Sequence, residues 1–314
     1  MTQPLTAGAA STFTTFSPSA AGVAAAEPAP PTQLMQSRDF WAELCPELSL
    51  ETGFTTPFAL NELTQTAGER ASARLMTEGY FQEIDPRLVD IAGKLSRAIT
   101  TFVERGIPPV FIFLYDEPWI AFHRQHATIG AFLGGDYRIL PDFWAWHVDP
   151  RKGQAGWRPH RDKGFQALAP DGSPLSLTIW MPLSEAHPLN GCMYMLPANK
   201  DPVYGTPDDK TWKIDYPSIR ALPGVPGDWF CWNQAVLHWG GQSSSFAEAP
   251  RMSMALEFQR SDIAPYNEPL MPALMVLSFE DRLRLTAKQI LQYAHMYPLS
   301  PEMNDLARRI LSPA

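Results

Sequence analysis

Along this chain the spacing of apolar positions changes period at two points. Up to about residue 136 the apolar residues recur at helical intervals. From Tyr137 to Gln259 they fall in short runs rich in aromatic and β-branched residues. After Pro272 the helical interval returns. In the first part, Phe40, Trp41, Leu44 and Leu48 predict a helix over 40–48, and Asn61–Glu78 is a weaker helical stretch. Leu88, Ile91, Leu95, Ile99 and Phe102 make one stripe of a helix over Arg87–Glu104, which Gly106 stops. The apolar run Pro109–Tyr115 reads as a buried strand. Asp116 as N-cap with Pro118 in the first turn predicts a helix to about Leu133.

In the middle part, Tyr137–His147, Leu175–Pro182, Cys192–Leu196, Asp228–Trp232 and Met252–Gln259 read as strands between Pro, Gly, Asp and Asn turns. Asn190-Gly191 predicts a type I′ hairpin, since both residues tolerate positive φ. Strands at such spacing suggest a sandwich or barrel. Beyond it, Leu283, Ala287, Ile290, Leu291 and Ala294 share a helical face, and Pro301–Leu311 offers a last helix. The expected fold class is mostly β with flanking α-helices. No internal repeat is present.

Composition bounds the function. The chain has 314 residues, 45% hydrophobic and 18% charged, with a net charge of −8. It is therefore globular, and it lacks the basic stripe of a nucleic-acid protein. No apolar run approaches a membrane span of about 20 residues, and no Lys or Arg precedes Arg38 as a secretory signal would require. Cys45, Cys192 and Cys231 are too few and too scattered for a disulfide framework or zinc cluster, so a reducing, cytoplasmic setting is expected. Residues 1–33 form an Ala/Ser/Thr/Pro tract too poor in large apolar groups to order itself, and read as a disordered tail.

The candidate chemistry centres on His160-Arg-Asp162. Alternate residues of an extended chain point to one side, so an imidazole and a carboxylate can face one point. A second imidazole from His238, entering Gly240-Gly241, completes a two-histidine, one-carboxylate set that suits non-haem Fe(II), though Mn, Co or Zn fit the same atoms. His147-Val-Asp149 repeats the motif thirteen residues earlier, and spacing alone does not choose between them. Arg251 opens a strand on which Ser253 points the same way. A guanidinium there can hold a carboxylate with two parallel hydrogen bonds, or serve as a surface ion pair.

Together these residues resemble the phytanoyl-CoA dioxygenase family of Fe(II)/2-oxoglutarate oxygenases. The family's ordered motifs correspond here to His160-Arg-Asp162, the strand Leu177-Thr-Ile-Trp180-Met-Pro-Leu183, Asn190-Gly-Cys-Met-Tyr-Met-Leu-Pro197, Pro226-Gly-Asp228, His238 and Arg251-Met-Ser253, over about residues 137–260. The resemblance implies a double-stranded β-helix (jelly-roll, cupin-like) core. It selects His160, Asp162 and His238 as metal ligands and catalytic centre, with Phe143–Asp149 as a preceding strand. It also implies 2-oxoglutarate as cosubstrate with O2, its distal carboxylate on Arg251. Trp180 matches a cofactor-pocket position, Ser253 a supporting one, and Thr178 is a further candidate donor. Some relatives carry a small hydroxyl residue where this chain has Gly240. Halogenases of this kind replace the carboxylate ligand by a small residue, so Asp162 points to hydroxylation, with succinate and CO2 as coproducts.

The implied organisation is a tail over 1–33, an oxygenase domain over 34–270 (helical part 34–136, jelly-roll core 137–262), and C-terminal helices over 271–314. The expected partner is a small-molecule substrate, with neither nucleic acid nor membrane, in a monomer or homodimer. Trp146, Arg161, Phe165, Asn233 and Gln234 are candidate substrate contacts. Arg158, Arg161 and Lys163 would attract an anion or line a solvated loop. Trp144, Trp232 and Trp239 are pocket or core. His123 and His126 lack a third ligand and read as surface or substrate-side residues. The rival functions are another metal-dependent jelly-roll enzyme (halogenase or isomerase) and a non-catalytic binding module, which intact ligands disfavour.

Overall fold

The computed structural model describes residues 32–51, 59–297 and 299–312, so the tract before Thr32 lies outside the described residues. Its strands are β1 (Tyr80–Ile84), β2 (Arg138–Val148), β3 (Ser176–Pro182), β4 (Met193–Leu196), β5 (Arg220–Leu222), β6 (Asp228–Asn233), β7 (Leu237–Gly240), β8 (Arg251–Gln259) and β9 (Met271–Pro272). Among the described residues they form a six-stranded sheet, ordered β1-β6-β3-β8-β2-β9, and a three-stranded sheet, ordered β5-β4-β7. All pairings are antiparallel. The two sheets enclose one cavity, the arrangement of a jelly roll.

β3 and β8 are buried along their whole length. One face looks into the cavity; helices cover the other. These are α1 (Arg38–Leu44), α2 (Gln65–Thr77), α3 (Leu88–Glu104), α4 (Asp116–His123), α5 (His126–Leu133), α6 (Phe279–Gln292) and α7 (Pro301–Leu311). The stripe Leu88, Leu95, Ile99 and Phe102 of α3 is buried as expected. No helix among the described residues is long and apolar enough to cross a membrane.

Several expectations fail locally. Pro109–Leu114 is a fully buried 3-10 helix, not a strand. Two successive prolines, Pro108 and Pro109, offer no N–H to a sheet ladder, and Pro109 fits a first helical turn. The long helix over 116–133 is two helices, with Tyr115 at the cap position and a break at Arg124-Gln125. There Arg124 grips the buried Asp85 through Nε and Nη2, both at 2.7 Å, a tertiary demand that local propensity does not reveal. Asp116, in turn, pairs with Arg282 at 2.5 Å.

Asn190-Gly191 does not close a hairpin, because β3 and β4 belong to different sheets. Asn190 ends a 3-10 turn whose side chain accepts from the His187 N–H, and only Gly191 is left-handed, at φ 82°. β1, β5 and β9 were not expected. His238 lies inside a strand of its own, β7, which was not expected either. Leu48 and Ala294 fall outside their expected helices. Cys45, Cys192 and Cys231 are buried free thiols.

Candidate active site

The cavity is bounded by inward-facing residues of β2, β3, β6, β7 and β8, and its empty space is about 500 Å3. His160 reaches it from the segment after β2. Its backbone is locked to β7 by reciprocal hydrogen bonds with His238, both 3.0 Å, which bring the two imidazole centroids within 4.4 Å. Three and four residues after His160, Lys163 and Gly164 donate their N–H groups to the Gln234 carbonyl, each at 3.0 Å, and hold Asp162 against the same point. His160 Nε2 and His238 Nε2 lie 3.4 and 3.5 Å from Asp162 Oδ1. One ligand atom from each of the three residues lies within 4.8 Å of the others.

The surrounding contacts orient these atoms. The Nδ1 atoms of His160 and His238 sit 2.7 and 3.1 Å from the carbonyls of Arg158 and Val236, the tautomer that leaves Nε2 facing the cavity. Asp162 Oδ2 accepts from Thr178 Oγ1 at 2.7 Å and Trp232 Nε1 at 3.1 Å, leaving Oδ1 for the centre. Gln234 Nε2 donates to Thr178 Oγ1 at 3.0 Å, so the hydroxyl proton is directed at Asp162. Burial pulls His238 down to about 4, a neutral ligand at physiological pH. Burial opposes charge on Asp162 as well, but the histidines and Thr178 outweigh it and hold the carboxyl well below its usual range. His160 is likewise opposed by burial, yet its bond to Asp162 raises it. Two imidazoles and a carboxylate, with other positions open, fit a divalent iron.

Arg251 is the other anomaly. Its side chain is 1% exposed, yet among the described residues it has no carboxylate partner. Nε donates to the Gly191 carbonyl at 3.1 Å and Nη1 to Ser253 Oγ at 2.5 Å, while the guanidinium lies 5.9 Å from the Trp180 ring. Burial lowers its pKa to about 10. Gly156 and Gly240 leave room beside it: a Cβ on Gly240 would stand 2.5 Å from the Gly156 Cα. Gly240 is therefore set by backbone contact, which explains the missing hydroxyl residue at this position.

The structure brings His160, Asp162, Thr178, Trp180, Trp146, His238 and Arg251 to one cavity. Other expected residues are engaged within the protein. Arg161 turns away to Asp201 at 2.7 Å and the Ala235 carbonyl at 2.7 Å. Asn233 donates to Tyr204 Oη at 2.8 Å, and Gln234 serves Thr178 rather than a ligand. Thr178 spends its proton on Asp162, not on a cosubstrate. Phe165 lines a neighbouring cleft together with Arg161, Asp162, Lys210 and Trp212. His147 is on the opposite face of β2 from Trp146, and Asp149 caps the following turn and pairs with Arg151. His123 is buried rather than at the surface.

Sequence reasoning missed Asp142, Glu257 and Tyr293, which line the far part of the cavity. One signal was present. Arg251, Ser253, Ala255 and Glu257 alternate along β8, an inward polar row in a strand buried on both sides.

Residues 126–253 match the family model of phytanoyl-CoA dioxygenase (PhyH). The non-heme monooxygenase ThoJ in its apo form superposes with a TM-score of 0.52 at 12% identity, covering 76% of this chain and 99% of that one. Its nickel complex gives 0.51 at 12% identity, covering 75% and 99%. AviO1 from Streptomyces viridochromogenes Tue57 gives 0.50 at 16% identity, covering 65% and 99%. At these identities the likeness is one of fold. No curated protein sequence matches the chain.

Proposed function

We propose that the core of this chain is a phytanoyl-CoA dioxygenase-type domain that uses non-haem iron and 2-oxoglutarate, and that it hydroxylates an unactivated C–H bond of a small molecule. The observation that carries this reading is the convergence of two unlike features on one cavity. His160, Asp162 and His238 present a facial ligand set, and Arg251 presents a buried cation whose partner must come from a ligand.

Iron, 2-oxoglutarate and O2 together supply the oxidising chemistry, with succinate and CO2 as coproducts. The chain's own residues bind and orient. Arg251 takes the distal carboxylate of 2-oxoglutarate through a guanidinium edge that Gly191 and Ser253 leave free, and Trp180 packs beside it. Thr178 and Trp232 fix the Asp162 carboxylate, and the two backbone carbonyls fix the imidazoles. Trp144, Trp146 and Trp157 wall the space and exclude water.

The test is succinate release from 2-oxoglutarate by Fe(II)-supplied protein under air and under argon. Oxygen-dependent release is expected, lost in His160→Ala and retained in His147→Ala. Release that ignores oxygen, or a metal that follows His147 instead, would overturn the assignment.

A further inference from the structure

The far part of the cavity contains more negative than positive groups. On the inward row of β8, Arg251 and Glu257 are six residues apart, about 20 Å along the strand. Thr178 pairs with Glu257 across β3 and β8 and reaches Asp162, so the metal centre faces this end of the row. Asp142, from β2, lines the same region. Lys163 Nζ lies 3.0 Å from Glu257 Oε2 and 3.9 Å from Asp142 Oδ2. One ammonium thus stands against two buried carboxylates.

Asp142 is 2% exposed. Its Oδ1 accepts from Asn267 at 2.9 Å, from Gln292 at 2.5 Å and from Tyr293 Oη at 3.2 Å, all neutral donors. Its Oδ2 has no hydrogen-bond donor among the described residues. Three aromatic rings stand beside these carboxylates. The Trp157 and Tyr293 centroids are 4.7 Å apart, Trp144 and Tyr293 5.5 Å, and Trp144 and Trp157 6.1 Å. Among the described residues the Trp144 and Trp157 indole N–H groups also lack hydrogen-bond partners. Aromatic faces and carboxylates both attract cations, and unpaired indole donors await an acceptor oxygen.

Charge balance points the same way. A divalent metal and Arg251 together offset Asp162 and both carboxylates of 2-oxoglutarate. The remainder is Asp142 and Glu257 against Lys163 and, behind Asn267, Lys288; burial raises Glu257 to about 8, so this carboxyl keeps its proton at pH 7 unless a further cation faces it. We infer that the substrate is a small molecule carrying a positively charged nitrogen, seated against Asp142 and Glu257 beside Trp144, Trp157 and Tyr293. This deepens the dioxygenase reading and rests on it. Tyr293, Asn267 and Gln292 lie beyond the matched residues 126–253, so this selectivity belongs to the chain's own C-terminal part.

The test uses the full chain with Fe(II) and 2-oxoglutarate without oxygen, titrated with n-butylammonium, 1-butanol and butyrate while tryptophan fluorescence is read. Butylammonium should bind roughly tenfold or more tighter than either isosteric probe. Glu257→Gln and Asp142→Asn should each erase most of that preference while 2-oxoglutarate still binds. Equal binding of alcohol and ammonium, preference for butyrate, no ammonium binding at all, or an unchanged preference in both variants would overturn the inference. Failure of the dioxygenase reading would show separately, as loss of 2-oxoglutarate binding in the parent protein before any probe is added.

Discussion

Two buried arginines in this protein should respond oppositely to the same change. Arg124 is held by a bidentate pair with Asp85, both contacts 2.7 Å, and both side chains are almost fully buried. Arg124→Met leaves a buried carboxylate without its cation, which costs roughly 3–5 kcal/mol. Arg251 has no such partner among the described residues. Burial drives its pKa from 12.5 to about 10, so the cation is disfavoured by roughly 3 kcal/mol in the ligand-free protein. Arg251→Met removes that cost but also the bonds to Gly191 and Ser253, worth about 1–3 kcal/mol each. The two largely cancel, and urea unfolding of the ligand-free variant should fall within about 2 kcal/mol of the parent. Binding of 2-oxoglutarate should behave differently. Losing one partner of a buried charge pair costs about 2–5 kcal/mol, so affinity should drop ~30-fold or more. Calorimetric titration of 2-oxoglutarate onto Fe(II)-loaded protein without oxygen reads this directly. If Arg251→Met loses more than about 3 kcal/mol of ligand-free stability while 2-oxoglutarate affinity stays intact, Arg251 is a structural residue and the pocket reading is wrong.

Thr178→Val keeps the side-chain shape but removes the donor to Asp162 Oδ2, so iron affinity should fall about 10-fold or more, read by metal competition. Unchanged affinity would remove Thr178 from the site. Gly240→Ala places a Cβ 2.5 Å from the Gly156 Cα, where only backbone can yield, and should cost about 1–3 kcal/mol in urea unfolding. A variant as stable as the parent would contradict that close approach. His123 is buried with its pKa lowered to about 3. Below about pH 6.5 the unfolded chain takes a proton that the folded chain refuses, so stability present above that pH is lost progressively toward about pH 3. Between pH 7 and pH 4.5 the His123 contribution is ~2–3 kcal/mol, and His123→Leu should lose correspondingly less than the parent over that interval. An identical acid loss in the two proteins would rule this out.

The periodicity of the chain was sufficient for most elements, because burial on one face writes itself into spacing. The stripe from Leu88 to Phe102 became α3, and Pro301–Leu311 became α7 at the expected bounds. It failed where the whole segment is interior. Pro109–Leu114 is apolar on every side, and an apolar run carries no period to separate helix from strand. It failed again at Arg124, where an ion pair to Asp85, thirty-nine residues away, interrupts an otherwise continuous helix.

The site divides in the same way. His160, Asp162, His238 and Arg251 were legible because their chemical types recur in a fixed order, and ligand identity is a property of residue type. Which way a side chain faces is not. Arg161 and Asn233 neighbour the site in sequence, yet the backbone sends one to Asp201 and the other to Tyr204. Thr178 changed from a cosubstrate donor to the residue that aims Asp162, because a hydroxyl has one proton and the nearest acceptor takes it. Sequence alone determined the candidate ligand types, their order along the chain and the presence of an unusual arginine. Only tertiary structure decided that Asp142, Glu257 and Tyr293, drawn from β2, β8 and the end of α6, meet in one cavity. Those contacts join residues far apart in the chain, and no local pattern encodes the distance between them.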